Sequence, residues 1–331
     1  MNHVTPVERE AQTTALAPSS PLTGRTDSVR LIRSIDVRQL IAGYKRAYAI
    51  DIERYFATTS ALGLFYDNET GLSFYDPPVV GDPEFYAELS KLPWYHPSDR
   101  PDFEIAARYI PNGSHVLEIG AGVGHFYRYL QNADYLGLEF NPDAVMTANM
   151  AGVPVIDADV RDLAAARPEA FDVVCSFQVL EHVSNPREFI EAAVALTKPG
   201  GTVILATPNA GSYISRCRDL LNAPPHHVTW WEDRTWRWIA ATFGLDVLDV
   251  VHTPINRMVA HWARMIAANG LAAQLGVTLD PVVDESPLRH RIDAMAIPIV
   301  NAIVSGITHS GDIPEAGHTS VAVFFKNFDN D

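Results

Sequence analysis

The segment best suited to chemistry is a glycine-rich turn that follows an apolar run. The chain reads Val116-Leu-Glu-Ile-Gly120-Ala-Gly122-Val-Gly124, which predicts a strand that ends in a loop. Glycines at these positions allow a sharp turn and let a ligand approach the main chain closely. A dinucleotide-binding pattern would place its third glycine where this chain has His125. An oxidoreductase that binds NAD is therefore the weaker alternative at this loop.

Two acidic residues flank the turn. Glu118 lies two residues before Gly120, and Glu139 lies 19 residues after Gly120, at the end of the next predicted strand. A carboxylate at the first position can hold an ammonium group, and one at the second can accept both hydroxyls of a ribose. S-Adenosylmethionine combines an amino acid with a ribose and has no pyrophosphate. We therefore expect it to be the cofactor.

These residues resemble the class I S-adenosylmethionine-dependent methyltransferases, and the resemblance continues in order over residues 115–250. It implies that Asp159 pairs with the adenine amino group and that Val160 offers its backbone N–H. The run Phe171-Asp-Val-Val-Cys-Ser-Phe-Gln178-Val-Leu-Glu181-His182 is similar to the fourth-strand motif of the small-molecule branch, which includes ubiquinone-pathway methyltransferases. The expected cofactor-binding residues are Glu118, Gly120, Gly122, Gly124, Glu139, Phe140, Asp159, Val160, Phe177 and Gln178.

The candidate catalytic residues are histidines. A loop after the fifth predicted strand of the methyltransferase-like segment reads Pro224-Pro225-His226-His227, and it resembles bacterial methyltransferases of glycan and secondary-metabolite assembly. A neutral imidazole can take the proton of an attacking hydroxyl. Since neighbouring side chains of an extended segment point in opposite directions, we expect one of the pair to face the cofactor. We rank His227 first, His226 second and His182 third; the alternative is that such a residue only fixes the loop.

Charge and motif composition restrict the acceptor. With 25 Lys plus Arg against 40 Asp plus Glu, the formal charge of the 331 residues is -15, which disfavours nucleic acid and anionic membranes as partners. Methyltransferases of nucleobase amino groups carry Asn or Asp before Pro-Pro and an aromatic residue, where this chain reads Phe177-Gln178-Val179-Leu180. We find no cluster of carboxylates for a metal-assisted mechanism, so we assign no metal ligands and leave metal dependence open.

The cysteines and the N-terminal segment favour the cytoplasm. The two cysteines, Cys175 and Cys217, are too few for a disulfide framework, and we expect Cys175 to lie in the core. Glu8 and Glu10 stand where a signal peptide would need basic residues, and no apolar stretch is long enough to span a membrane.

The elements that position these residues alternate between short apolar runs and helical patterns. This alternation predicts an α/β fold, a doubly wound Rossmann-like methyltransferase sheet with an N-terminal helical and aromatic extension and a helical insertion before the last strand. We expect loops and short helices over residues 62–98. The predicted regions are a flexible tail at 1–30, a helical and aromatic lid or pocket region at 31–108, and a methyltransferase domain at 109–331 with the insertion at 253–318.

The expected function is methyl transfer from S-adenosylmethionine to a small-molecule acceptor, first of all O-methylation of a sugar or secondary metabolite. N- or C-methylation is an alternative. A catalytically silent scaffold that binds the cofactor is another. The amphipathic insertion helices must bury their apolar face against the sheet, a lid or another subunit, so we also expect a homodimer.

Overall fold

The computed structural model describes residues 17–95, 100–216, 219–255, 259–277, 279, 283–284, 286–310 and 317–328. Met258 and Cys217 lie outside these residues. The strands are β1 (Val29–Asp36), β2 (Ala61–Asp67), β3 (Ser73–Asp76), β4 (His115–Ile119), β5 (Asp134–Leu138), β6 (Val155–Ile156), β7 (Phe171–Phe177), β8 (Thr197–Pro208), β9 (Thr229–Trp230), β10 (Leu245–His252) and β11 (Thr319–Lys326). The helices are α1 (Val37–Tyr48), α2 (Pro83–Ser90), α3 (Pro101–Ala107), α4 (Pro142–Met150), α5 (Val160–Ala166), α6 (Pro186–Leu196), α7 (Asp233–Phe243), α8 (Val259–Gln274) and α9 (Pro287–Ser310).

A seven-stranded sheet forms the centre of the molecule, in the order β10-β11-β8-β7-β4-β5-β6. The five strands from β4 to β8 run parallel, and β11 lies antiparallel between β8 and β10. The central strands are apolar without alternation because helices cover both faces; Val116, Leu117, Val174 and Ile204 are all fully buried. The predicted doubly wound α/β fold is confirmed.

The strand order reverses between β4 and β7, because the chain winds first toward β6 and then toward β8. In such sheets the loops at the carboxyl ends of the two central strands diverge to opposite faces and leave a crevice for a ligand. The glycine-rich turn follows β4, and Gln178 follows β7. The topology therefore places both segments at this crevice.

Two of the crossover helices begin as the sequence predicts. Pro142 and Pro186 each occupy the first turn, where the missing N–H is not needed. The preceding asparagines cap the free backbone donors: Asn141 accepts from the N–H of Asp143 at 3.0 Å, and Asn185 caps α6.

A second sheet, in the order β1-β2-β3-β9, replaces the loops expected over residues 62–98. All of its strand pairs are antiparallel. Leu62 and Leu64 alternate with less buried neighbours along β2, which is the period of a half-buried strand that we overlooked among the aromatic residues. The fourth strand, Thr229–Trp230, comes directly after the histidine loop, so this sheet attaches the N-terminal region to that loop.

The described part of the expected tail is anchored to the core at Leu22. Residues 1–16 lie outside the described part of the chain, whereas Leu22 is fully buried in the cluster that also contains Trp231 and Trp236. The carbonyl of Leu22 also accepts from the guanidinium of Arg187 at 2.8 Å. Burial of the Leu22 side chain offsets the conformational entropy that this segment loses when it is ordered. The prediction of a flexible tail is therefore wrong for residues 17–30.

The helical insertion consists of α8 and α9, which pack on each other before β11. Ala268, Ala272 and Ile292 are buried between them. Ile266 and Met295 remain exposed on the outside. Within the described residues, no helix is both long and apolar enough to cross a bilayer.

Substituting Leu22 tests whether the N-terminal segment belongs to the core. We expect Leu22→Ala to lower the free energy of unfolding by about 2–5 kcal/mol, because it removes a buried side chain and leaves a cavity. Leu31→Ala is the matched control, since Leu31 is 54% exposed, and it should cost about 0.5 kcal/mol or less. Urea unfolding measures the free energy of unfolding of both variants. Equal small losses would show that residues 17–30 do not contribute to the core.

Candidate active site

The glycine-rich turn has an open inner surface. Gly120 (φ +77°) and Gly122 (φ +55°) adopt left-handed conformations that other residues rarely take. A Cβ added to Gly122 would meet no atom within 4 Å, so the main chain there can be approached closely. A Cβ on Gly120 would lie 2.3 Å from Cγ2 of Val179, so the segment after β7 packs directly on the turn. Gly124 ends the turn, also with a positive φ.

Glu118 is a buried carboxyl group with a neutral neighbour. The hydroxyl of Tyr135 donates to its Oε2 at 2.5 Å. Burial raises the pKa of Glu118 to about 8, and the charge of nearby Arg100 opposes that rise. A group in this state gains a compensating partner when an ammonium arrives, which is what the amino-acid end of S-adenosylmethionine provides. The predicted role of Glu118 fits its surroundings.

Glu139 lies at the end of β5 and braces the turn. Its Oε2 accepts from the N–H of Gly122 at 2.8 Å, and its Oε1 accepts from the N–H of Asn141 at 2.9 Å. Each carboxylate oxygen keeps a further lone pair, so the group can also accept the hydroxyls of a ribose. The adjacent Phe140 is 63% exposed and could stack on a flat ring. Both roles stay predictions.

Asp159 has an additional structural task. It caps α5 by accepting from the N–H of Arg161 at 2.8 Å, and it forms a two-point ion pair with the guanidinium of Arg161. Any bond to an adenine amino group would share the carboxylate with this arginine. Val160 follows it at the first position of α5 and is buried. The adenine roles of Asp159 and Val160 stay predictions.

Two residues at the end of β7 differ in environment. The ring of Phe177 is buried, with centroids 4.9 Å from Phe103 and 4.6 Å from Phe126, so it supports the turn from below. Gln178 has a positive φ of 58°, and its buried Nε2 has no hydrogen-bond partner among the described residues. A buried unpaired donor is costly, which makes the Gln178 amide a candidate for contact with a ligand.

The three candidate catalytic histidines lie together. The ring centroid of His182 is 4.6 Å from that of His226 and 4.9 Å from that of His227. The rings of His226 and His227 stack at 4.3 Å. One ring nitrogen of each residue lies within 4.8 Å of a ring nitrogen of the other two, a spacing that can hold a metal ion. We call these three residues the histidine cluster.

The prediction that His226 and His227 point in opposite directions is wrong. It assumed an extended segment, whereas the N–H groups of both residues approach the carbonyl of Ala223, at 3.2 and 3.3 Å, in a turn. In a turn, successive side chains can project to the same side. Both histidines therefore join His182, rather than one of them facing away.

Hydrogen bonds orient each imidazole of the cluster. Nδ1 of His182 lies 2.7 Å from the carbonyl oxygen of His226, and Nδ1 of His226 lies 2.9 Å from that of Leu221. Nδ1 of His227 lies 3.2 Å from Oδ1 of Asn222. Since carbonyl oxygens only accept, the Nδ1 atoms carry the hydrogens and the Nε2 atoms keep their lone pairs.

Burial keeps the cluster uncharged. It lowers the pKa of His182 to about 4, and it lowers the pKa of His226 and of His227 well below the usual value. Repulsion from the charged form of His182 lowers the pKa of His226 further, and repulsion from both neighbours lowers that of His227. At neutral pH all three are therefore neutral rings with basic nitrogens.

Three functional candidates had not been assigned roles from the sequence. Glu181 is 1% exposed, neither of its carboxyl oxygens has a hydrogen-bond partner in the part of the chain that the structure describes, and burial raises its pKa to about 8. The hydroxyl of Tyr95 lies 2.8 Å from Nε2 of His226. Arg100 lies near both Glu118 and Glu181. The adjacency of Glu181 to His182 in the sequence indicates that it lies near the site. The positions of Tyr95 and Arg100 beside the site depend on contacts between chain segments that are far apart in the sequence.

Comparison with known proteins identifies the central part of the chain. A family model described as a methyltransferase domain matches residues 98–250. That match covers just under half of the 331 residues. The predicted enzyme class, a methyltransferase, and its predicted cofactor, S-adenosylmethionine, are confirmed, while the predicted domain bounds stay predictions. The cradle formed by the glycine turn, Glu118 and Glu139 fits that cofactor.

Individual relatives match part of the chain. A ubiquinone biosynthesis O-methyltransferase of Xanthomonas campestris pv. campestris (strain B100) is 34% identical over 113 residues, which cover 32% of this chain and 47% of the relative. That of Photorhabdus laumondii subsp. laumondii is 32% identical over 105 residues, covering 29% and 44%. The chain spans about half the length of the curated relatives it matches. A solved SAM-dependent methyltransferase from Archaeoglobus fulgidus is 16% identical, with a TM-score of 0.43, over 74% of this chain and 95% of that one.

Glu118→Gln tests the state of the buried carboxyl. The pKa of Glu118 is about 8 in the folded protein and 4.5 in the unfolded chain, so the unfolded state loses its proton first as pH rises. The free energy of unfolding therefore falls between about pH 4.5 and pH 8. Gln cannot ionise and should remove this loss, roughly 3 kcal/mol at pH 7. Thermal unfolding at several pH values measures it. The exposed Glu104→Gln control should keep the wild-type slope, and an equal slope in Glu118→Gln would contradict the assignment.

Glu139→Ala tests the ribose site. We expect the affinity for S-adenosylmethionine to fall by about 1.5–3 kcal/mol, because hydrogen bonds to a charged acceptor are lost. Asp134→Ala is the control, since Asp134 lies at the opposite, amino end of the same strand. Titration calorimetry compares the two variants. If Glu139→Ala binds as tightly as the wild type, Glu139 is not the ribose ligand.

Proposed function

We propose that the chain transfers a methyl group from S-adenosylmethionine to a hydroxyl oxygen of a small molecule, a sugar or a secondary metabolite. The observation that carries the proposal is the position of the histidine cluster beside the cofactor cradle. Val179 packs on Gly120, and His182 follows three residues later in a short 3-10 turn. The cluster therefore lies at the carboxyl edge of the sheet, where neutral bases can meet an acceptor.

The cofactor supplies a methyl group on a positively charged sulfur, and the chain must position an oxygen in line with it. When the oxygen attacks, the new O–C bond forms, the C–S bond breaks with its electron pair on sulfur, and the hydroxyl proton must leave. We assign that proton first to Nε2 of His227, because Nδ1 of this ring is held by Asn222. Nε2 of His226 already accepts from the hydroxyl of Tyr95. His226 and then His182 are the next candidates.

The walls of this region suit a ring-shaped acceptor. Tyr86 contacts His182 edge-on at 5.6 Å between centroids, and Tyr95 contacts His226 at the same distance. Both tyrosines come from the segment that includes α2, so the N-terminal region covers the cluster, in line with the lid or pocket role expected of it. Aromatic rings and imidazoles offer flat surfaces and few charges, which favours a neutral small molecule over a phosphate backbone.

Further parts of the proposal concern the assembly and place of the protein. We include a homodimer through α8 and α9, because Ile266, Met295 and Ile297 are exposed apolar side chains on these helices. The proposal also places the protein in the cytoplasm and includes no nucleic-acid partner. Sedimentation velocity tests the dimer; a monomer throughout the accessible concentration range would remove it from the proposal.

An acceptor screen that measures formation of S-adenosylhomocysteine tests the reaction itself. With an acceptor found, His227→Ala should lower the single-turnover rate by about 10²- to 10⁴-fold and leave cofactor affinity nearly unchanged. His115→Ala is the matched control, because His115 lies at the amino end of β4, away from the cluster. Cofactor binding without turnover on any hydroxyl acceptor would favour N- or C-methylation or the silent scaffold.

Wild-type rates in both His227→Ala and His226→Ala would show that the loop is structural. His182 would then be the next residue to test as the base.

A further inference from the structure

We propose that the histidine cluster, His182, His226 and His227, binds one divalent transition-metal ion of the zinc class, with the carboxyl group of Glu181 beside the ion as its charge partner. The inference rests on the proposed function in one respect, that the acceptor is a hydroxyl, because it assigns the ion to the same site. It revises the expectation that the site has no metal ligands, because imidazole nitrogens bind transition metals as carboxylates do.

The spacing of the imidazoles is close to that of a metal site. One nitrogen from each ring lies within 4.8 Å of those of the other two. Ligand nitrogens at about 2.0 Å from a tetrahedral zinc ion are about 3.3 Å apart. Binding would therefore draw the three nitrogens closer together than they are without the ion. His226 and His227 come from one turn and His182 from another, so the ion would join the two loops.

The hydrogen bonds of the rings match those of metal-binding histidines. In most such sites the ring nitrogen that does not bind the metal donates to a carbonyl or carboxylate, which fixes the tautomer and the orientation of the ring. All three Nδ1 atoms here meet an oxygen acceptor, at 2.7, 2.9 and 3.2 Å. The lone pairs on Nε2 are thereby directed away from the backbone. Nε2 of His226 now accepts a hydrogen bond from the hydroxyl of Tyr95. An ion bound at this nitrogen would replace that hydrogen bond.

Glu181 provides an independent indication of a cation. Its side chain is 1% exposed, and neither carboxylate oxygen has a hydrogen-bond partner among the described residues. Nε2 of His182 lies 3.9 Å from Oε1, which is too far for a hydrogen bond. A buried carboxyl group whose polar atoms have no hydrogen-bond partner is costly, and the neighbouring imidazoles do not satisfy it. A divalent cation would give it a charge partner.

The donor set selects the class of ion. Imidazole nitrogens favour zinc, copper, nickel and iron, whereas magnesium and calcium prefer sites made of oxygen ligands alone. Three protein nitrogens leave a position for an exchangeable ligand, as in catalytic zinc sites. An acceptor hydroxyl in that position would lose its proton more readily, because the cation stabilises the alkoxide. The proton would pass to solvent, since a coordinated His227 cannot accept it.

Metal titration of the chelator-treated, full-length protein tests the proposal. Cobalt(II) serves as the probe, because its visible absorption reports nitrogen coordination, and calorimetry with Zn²⁺ gives stoichiometry and affinity. We expect one ion per chain, and at least a 100-fold loss of affinity in His227→Gln and in Glu181→Gln. His115→Ala and His252→Ala are controls, since these histidines lie outside the cluster and should leave affinity unchanged. Unaltered S-adenosylmethionine binding and circular dichroism confirm that each variant is folded.

The two proposals fail in different ways. Absence of a stoichiometric ion in the wild type, or affinity unchanged in both cluster variants, overturns the metal site and leaves His227 as the base. Full turnover by the metal-free protein also overturns a catalytic ion. Tight binding of the ion by a protein that methylates no hydroxyl acceptor supports the metal site and contradicts the proposed function.

Discussion

Hydrogen bonds between the end of β7 and the histidine loop hold the candidate site together. The N–H of Val228 donates to the carbonyl of Glu181 at 2.8 Å, and the ring of His182 donates to the carbonyl of His226 at 2.7 Å. Through Val179, the first of these segments also packs on Gly120 of the cofactor cradle. One set of contacts therefore joins the glycine turn, the segment after β7 and the histidine loop, which neither loop could provide alone.

The N-terminal region extends this arrangement from the other side. The N–H of Tyr75 donates to the carbonyl of Val228 at 2.9 Å, and its hydroxyl donates to the carbonyl of Asn222 at 3.0 Å. Asn222 in turn faces Nδ1 of His227. The small antiparallel sheet thus braces the histidine loop by main-chain bonds. The segments outside the methyltransferase domain are part of the site rather than appendages.

The sequence predicted those parts of the molecule in which local pattern and burial agree. Strand β7 was located to the residue because Phe171–Phe177 is a short, nearly continuous apolar run between polar turns. The histidine stacking was not predictable, because it depends on a turn around Ala223 that no local pattern announced. The sequence shows Glu181 only as a polar neighbour of His182. Only the fold shows that it is buried without a partner, since burial depends on contacts between distant segments.

The central claim is that the cofactor cradle and the histidine cluster face one cleft. A crystal structure with S-adenosylhomocysteine tests it through the distance from the sulfur atom to Nε2 of His227. One methyl group and one acceptor oxygen must fit between them, at an approach of about 3–3.5 Å and a hydrogen bond of about 2.6–3.2 Å, so we predict roughly 8 Å or less. A sulfur well beyond that distance, with packed side chains in between, would contradict the account.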